Sequence, residues 1–138
     1  MIAVVDASVV LKWFLQETDS PHALKLRQRH LAGDVLLAAP DLLLYEVGNA
    51  LRFKRDFTLS DTQAALSDIL RFQLELIAPT EVLLHQAADL SHRSRLTYYD
   101  SCYLAAAKNL GATLITADER LHQAAHHLAT IKLLSHAV

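Results

Sequence analysis

The 138-residue chain predicts one α/β domain spanning residues 1–138, with a parallel sheet held between layers of helices. Three observations carry that expectation. Short, β-branched apolar runs alternate with longer segments of helical periodicity from end to end. The composition is 52% hydrophobic and 20% charged, which supplies one core and excludes intrinsic disorder. No linker, repeat or low-complexity tract divides the chain.

The elements follow in order. Ile2–Val5 reads as a buried strand, and Ala7–Leu15 as a helix. Ser20-Pro21 supplies an N-cap with proline at the first helical position, and Gly33 stops that helix. Val35–Ala38 is a second strand ended by Pro40; Asp41 to about Arg55 is a helix. Ser60-Asp-Thr-Gln63 has the form of a capping box opening another helix. Glu75–Ile77 is a short third strand, and Thr80 caps a helix running to about Arg95. Tyr99–Leu110 is the next helix, ended by Gly111; its Cys102–Ala107 stretch is apolar all round, which places it centrally. Thr113–Thr116 is a fourth strand, Glu119–His127 a helix and Ile131–Leu134 a weak fifth strand.

Scarce residues exclude several chemistries. The three glycines, Gly33, Gly48 and Gly111, stand alone, so no Gly-rich loop can cradle a phosphate. A single cysteine, Cys102, makes neither an internal disulfide nor a thiolate zinc site, and the composition is of a cytoplasmic type. The first residues lack the basic region of a signal peptide, and no apolar run approaches the roughly 20 residues that span a bilayer. A net charge of −2 gives no global basic signature, so a polyanion must be held by a local patch or by metal ions.

In an open parallel sheet, ligands bind beyond the carboxyl ends of the strands, where strand order reverses. That rule directs attention to Asp6 and Asp118, which follow the first and fourth strands, and then to Glu46 and Asp100. Helix capping is the plain alternative for three of them, since Asp6, Asp100 and Asp118 each precede or begin a helix. Capping does not explain Glu46, which lies inside its helix on a stripe with Leu42, Leu43, Asn49, Ala50 and Phe53. An ionised Glu on such a stripe is costly without compensation. Four gathered carboxylates would raise one another's pKa unless a cation joined them. Oxygen-only donors suit Mg²⁺ or Mn²⁺, and one or two such ions can clamp a phosphodiester for in-line displacement.

These residues carry a resemblance. Val4-Val-Asp-Ala-Ser8, Tyr45-Glu-Val-Gly-Asn-Ala-Leu51, Tyr98-Tyr-Asp-Ser-Cys-Tyr-Leu104 and Leu114-Ile-Thr-Ala-Asp-Glu-Arg-Leu121 stand in the order found in PIN-domain proteins. The chain resembles the VapC toxins of VapBC toxin–antitoxin pairs in particular. Each motif alone is weak; together they cover nearly the whole chain. The resemblance implies a sheet of order 3-2-1-4-5 with Asp6 beside Asp118. It implies a Mg²⁺- or Mn²⁺-dependent endoribonuclease with Asp6, Glu46, Asp100 and Asp118 as its acidic set. It also implies polar support from Ser8, Asn49 and Thr116, an RNA substrate, a VapB-like antitoxin and a homodimer. Departures are small: Ser101 stands where the family often has Ala, and Gly48 interrupts the Glu46 helix at a cost of roughly 1 kcal/mol. Such a glycine would also let a neighbouring helix approach closely.

The remaining features have plain explanations beside the functional ones. His122 and His126 share a helix face, but the HExxH order is absent, and a solvated face is the expectation. Cys102 reads as a small hydrophobe. Basic residues cluster at Lys25–Arg29, at Arg52, Lys54 and Arg55, and at Arg93 and Arg95; of these, the Arg52–Arg55 group is best placed for RNA because it shares the Glu46 helix. Trp13, Phe14, Leu42–Leu44 and Tyr45 belong either to the core or to an interface. A phosphoacceptor receiver domain is disfavoured, because a single Asp6 follows the first strand and Ala78-Pro79 follows the third. A catalytically idle PIN-like scaffold would have lost an acid, and none is missing. A DNA-directed nuclease using the same metals stays a lesser alternative, although the helical insertions of a flap nuclease find no room in 138 residues.

Overall fold

Strands and helices alternate along the computed structural model, which describes residues 1–137; Val138, the last residue of the expected domain, lies outside them. The elements are β1 (Ile2–Val5), α1 (Ala7–Leu11), α2 (Ser20–Leu31), β2 (Leu36–Pro40), α3 (Leu42–Arg52), α4 (Leu59–Arg71) and β3 (Glu75–Ile77). They continue with α5 (Glu81–Arg93), α6 (Tyr98–Leu110), β4 (Thr113–Thr116), α7 (Glu119–Ala125), β5 (Ile131–Leu133) and α8 (Leu134–Ala137). The strands form one sheet of order β3-β2-β1-β4-β5, and every pairing is parallel. That is the topology implied by the resemblance. Strand order therefore reverses between β1 and β4, where the carboxyl ends of two neighbouring strands open a crevice.

Right-handed crossovers set the layers. The chain walks from β1 to β3 in one direction with α1–α4, then returns across the sheet to β4 and β5 with α5–α7, which right-handedness assigns to the opposite face. Helix α6 lies across β1, β2 and β4, and α5 packs along its outer side. This is the central helix expected from its apolar sequence: Ser101 and Tyr103 through Ala107 are all buried. Gly111 ends it in the left-handed conformation, at φ +61°. The buried core joins Val4 and Val5 of β1, Leu37 of β2, Leu104 of α6 and Leu114 of β4.

Several boundaries differ from the sequence expectation, each for a local reason. Helix α1 stops at Leu11 instead of Leu15, because Trp13 and Phe14 continue only as single turns bonded to Val10 and Leu11. Trp13 is buried, donating its indole N–H to the Ala23 carbonyl at 2.9 Å and packing edge-on against Phe72, so it belongs to the core. Ser20 is not an N-cap. Asp19 holds that position without a side-chain bond, while Ser20 Oγ donates to Leu15 O and accepts from the Glu17 N–H, closing the preceding loop. Strand β2 begins at Leu36, and Pro40 is its last residue, tolerated where the ladder ends.

The capping box of α4 lies two residues earlier than expected. Thr58 accepts from the Asp61 N–H at 3.1 Å and Asp61 accepts from the Thr58 N–H at 3.0 Å, so Ser60 and Gln63 are not the pair. Helix α3 ends at Arg52, which puts Lys54 and Arg55 beyond the Glu46 helix. Gly48 faces Leu66 of α4, but a Cβ there would meet it at an ordinary 3.8 Å, so the helix packing does not demand a glycine. Helix α7 ends at Ala125 rather than His127, and Leu134 opens a short α8 instead of closing β5. Among the described residues no helix is long and apolar enough to cross a membrane.

Candidate active site

The β1–β4 register builds the centre of the site. Val5 lies opposite Ile115, so the next residues, Asp6 and Thr116, meet at the open ends of the two strands. Thr116 Oγ1 donates to Asp6 Oδ2 and Ser8 Oγ donates to Asp6 Oδ1, both at 2.5 Å. The two hydroxyls are themselves aimed by backbone: the Ala117 N–H donates to Ser8 Oγ at 2.9 Å and the Asp118 N–H to Thr116 Oγ1 at 3.0 Å. Asp6 is only 6% exposed. Burial pushes its carboxyl up to about 6, against the bonds from Ser8, Thr116 and the Val9 N–H, and the charge of Asp100 adds to the rise.

Glu46 approaches from α3. The buried stripe of that helix is Leu43, Val47 and Leu51, so Glu46 stands beside the core rather than on its apolar face, and Asn49 and Phe53 further along are exposed. Tyr103 of α6 donates its phenol to Glu46 Oε1 at 2.6 Å. Burial chiefly, and then the charge of Asp100, raise the Glu46 carboxyl above the ordinary range, while the Tyr103 bond opposes them. Burial and the Glu46 carboxylate push the Tyr103 phenol far up, so it stays a neutral donor.

Capping separates the three aspartates. Asp118 is an N-cap, accepting from the Arg120 and Leu121 N–H groups at 3.0 and 3.2 Å. Asp6 caps α1 through a single long bond of 3.4 Å from the Val9 N–H. Asp100 caps nothing: Thr97 is the N-cap of α6, accepting from the Asp100 N–H at 3.0 Å, and the Asp100 carboxyl accepts from no backbone N–H of the helix start. It is half-buried and raised by that burial and by Asp118, against a Thr97 bond and the charge of Arg120. Asp100 thus couples to each of the other three acids.

Tyr103 has no signal of its own within the apolar run Cys102–Ala107, yet its spacing of three from Asp100 puts both on one helical face, and its phenol reaches Glu46. Of the expected polar support, Ser8 and Thr116 bond Asp6 directly, whereas Asn49 is exposed one turn beyond Glu46. Arg52 stacks on Phe53 with 4.7 Å between guanidinium and ring, and Lys54 and Arg55 are exposed in the following turn. A cleft of about 240 Å³ lies directly beside Asp100, lined by Arg95, Thr97, Arg120 and Leu121. An apolar cleft of about 190 Å³, lined by Leu42, Ile77, Leu84, Tyr98 and Cys102, contains none of the four acids. The thiol of Cys102 is raised by burial and by Glu46, which keeps it protonated.

Among the described residues no three His, Cys, Asp or Glu side chains converge as a finished metal cage. His122 of α7 and His126, the residue that caps its end, stack at 5.8 Å. The four acids instead offer oxygen donors only, linked through the charge of Asp100. That donor chemistry fits a hard cation such as Mg²⁺, which takes one or two carboxylates and keeps much of its water.

Fold and cluster together define an α/β domain with carboxylates gathered at its topological switch point. The PIN domain model matches residues 3–127, and the chain belongs to the PIN domain family. VapBC2 from Rickettsia felis, bound to a DNA fragment from its promoter, is similar with a TM-score of 0.70 at 17% identity, over 96% of this chain and 98% of that one. FitAcB from Neisseria gonorrhoeae gives 0.68 at 16% identity, over 99% of each chain. VapC20 from Mycobacterium tuberculosis, a Sarcin-Ricin loop cleaving toxin, gives 0.68 at 17% identity, over 88% of this chain and 94% of that one. At such identities the likeness is one of fold. No curated protein sequence matches the chain.

Proposed function

We propose that the chain is a metal-dependent endoribonuclease of the VapC type, the toxin of a toxin–antitoxin pair, acting in the cytoplasm. The observation that supports this most is the energetic state of the cluster: Asp6, Glu46 and Asp100 are all held above the ordinary carboxylate range, and Asp100 is the common neighbour. A cation relieves that strain, and an acidic site without one repels a polyanion. The PIN domain match supports nuclease chemistry, and the likeness to VapC20 and VapBC2 supports RNA as substrate and a VapB-like partner. A homodimer belongs to the same reading.

Bound Mg²⁺ or Mn²⁺, one or two ions per site, would supply Lewis acidity to the phosphodiester and favour ionisation of water. Asp6, Glu46, Asp100 and Asp118 would hold the ions. Ser8 and Thr116 keep both Asp6 oxygens in fixed directions, and Tyr103 holds one Glu46 oxygen and leaves the other free. Water attacks phosphorus, the bond to the 3′ oxygen breaks, and the products carry a 5′-phosphate and a 3′-hydroxyl. Asp6→Asn and Asp100→Asn are each expected to abolish Mn²⁺-dependent RNA cleavage and growth arrest, with an unchanged circular dichroism spectrum. Full activity in either folded variant overturns the reading.

A further inference from the structure

We propose that Arg95 and Arg120 form a phosphate-binding subsite, holding a phosphate of single-stranded RNA next to the one that is cut. The inference deepens the nuclease reading and rests on it. Both arginines line the cleft beside Asp100, one from the loop that precedes α6 and one from the first turn of α7. They are exposed, and among the described residues neither is engaged in an ion pair. Arg93, two residues before Arg95, is by contrast tied to Asp89 at 2.6 Å.

The cleft is of a size for a phosphate with part of its sugar, and Thr97 adds a hydroxyl to its wall. Asp100 lines the same cleft as Arg95 and Arg120, so the positive wall and the acidic cluster are adjacent. A strand crossing from one to the other would meet cation-held oxygens first and a guanidinium pair next. Arginine suits this task because its planar fork matches two phosphate oxygens. Of the other basic group, Arg52 lies on Phe53, and Lys54 and Arg55 are exposed in the turn that follows.

The test is R95Q/R120Q, with R95K/R120K as the charge-retaining partner. Binding of a fluorescent single-stranded RNA is followed by anisotropy across a salt series in Ca²⁺, and cleavage separately in Mn²⁺. Loss of the one phosphate held there is expected to flatten the slope of log Kd against log salt by about 0.7, the contribution of each neutralised phosphate on a single strand. KM rises several-fold while kcat changes little, and the lysine variant restores the slope. A neutral methylphosphonate at one flanking position is expected to weaken binding to the parent and not to R95Q/R120Q. Parent cleavage with an unchanged slope and KM in R95Q/R120Q overturns the subsite and leaves the nuclease reading intact. Arginine-dependent binding without cleavage by the parent keeps the subsite and overturns the nuclease. A parent that neither binds nor cleaves RNA overturns both.

Discussion

Asp6 and Glu46 both feel the charge of Asp100, yet they are held by opposite means. Asp6 stands at the end of a central strand, buried, with a hydroxyl on each oxygen and a backbone N–H behind each hydroxyl. Glu46 projects from a helix flank, half-buried, with one phenol on one oxygen. The first arrangement is over-determined by strand register, so it exists before any cation or substrate arrives. The second leaves a carboxylate oxygen and a water-accessible side to adjust. A cluster of this kind combines a rigid reference point with ligands that can follow the substrate.

The largest effect should come from the buried corner. In the unfolded chain Asp6 titrates near 3.8, and in the metal-free folded protein near 6. Between those values the folded state holds more protons, so stability falls as pH rises through the window and levels off above it. The gap from 3.8 to about 6 corresponds to about 3 kcal/mol. Asp6→Asn removes the charge while keeping the shape. In EDTA at pH 7.5 it is expected to be more stable than the parent by up to about 3 kcal/mol, and at pH 3.5 the two should converge. Urea melts at both values measure it. Saturating Mn²⁺ should stabilise only the parent, by about 2.7 kcal/mol at one hundred times its Kd. A variant less stable than the parent in EDTA at pH 7.5 would break the contrast.

Much of this corner was legible in the sequence, because strand ends and short apolar runs are local signals. Asp6 after Val5 and Thr116 closing Thr113–Thr116 could be placed without tertiary information. Whether Asp100 was a cap or a free acid could not, since Thr97 and Asp100 both suit a helix start and only geometry shows Thr97 taking that role. The frame of the α4 box failed in the same way: Thr58 and Ser60 each have a bonding residue three positions on. Tyr103 was hidden by its polarity being one atom on a large apolar ring. The cleft of Arg95 and Arg120 was hidden by distance, because its two sides come from separate crossovers.

Thr116→Val should be the next largest perturbation. It removes a donor from buried Asp6 and leaves the Asp118 N–H without its acceptor, at about 2 kcal/mol for the lost charge-assisted bond and the unpaired group. The Asp6 carboxyl should rise further, widening the pH window over which stability is lost. Thr116→Ser, which keeps the hydroxyl, should recover most of the difference. Melts of the two variants across pH separate hydroxyl loss from methyl loss. Equal destabilisation by both would mean that packing, and not the bond to Asp6, is what Thr116 contributes.

Tyr103→Phe removes a hydrogen bond of nearly the same length, and it should matter least to stability. Glu46 is open enough for water to take the phenol's place, so the cost should stay under about 1 kcal/mol. Its effect should appear instead in the chemistry. The phenol lowers the Glu46 carboxyl, so without it the acid limb of the pH–rate profile should move to higher pH. Metal affinity should fall by about 10- to 100-fold, the range for losing a partner that orients a ligand. Thermal melts, a pH profile in Mn²⁺ and a metal titration read the three quantities apart. A stability loss as large as that of Thr116→Val, with an unmoved profile, would make Glu46 a second rigid corner and erase the distinction between the two halves of the cluster.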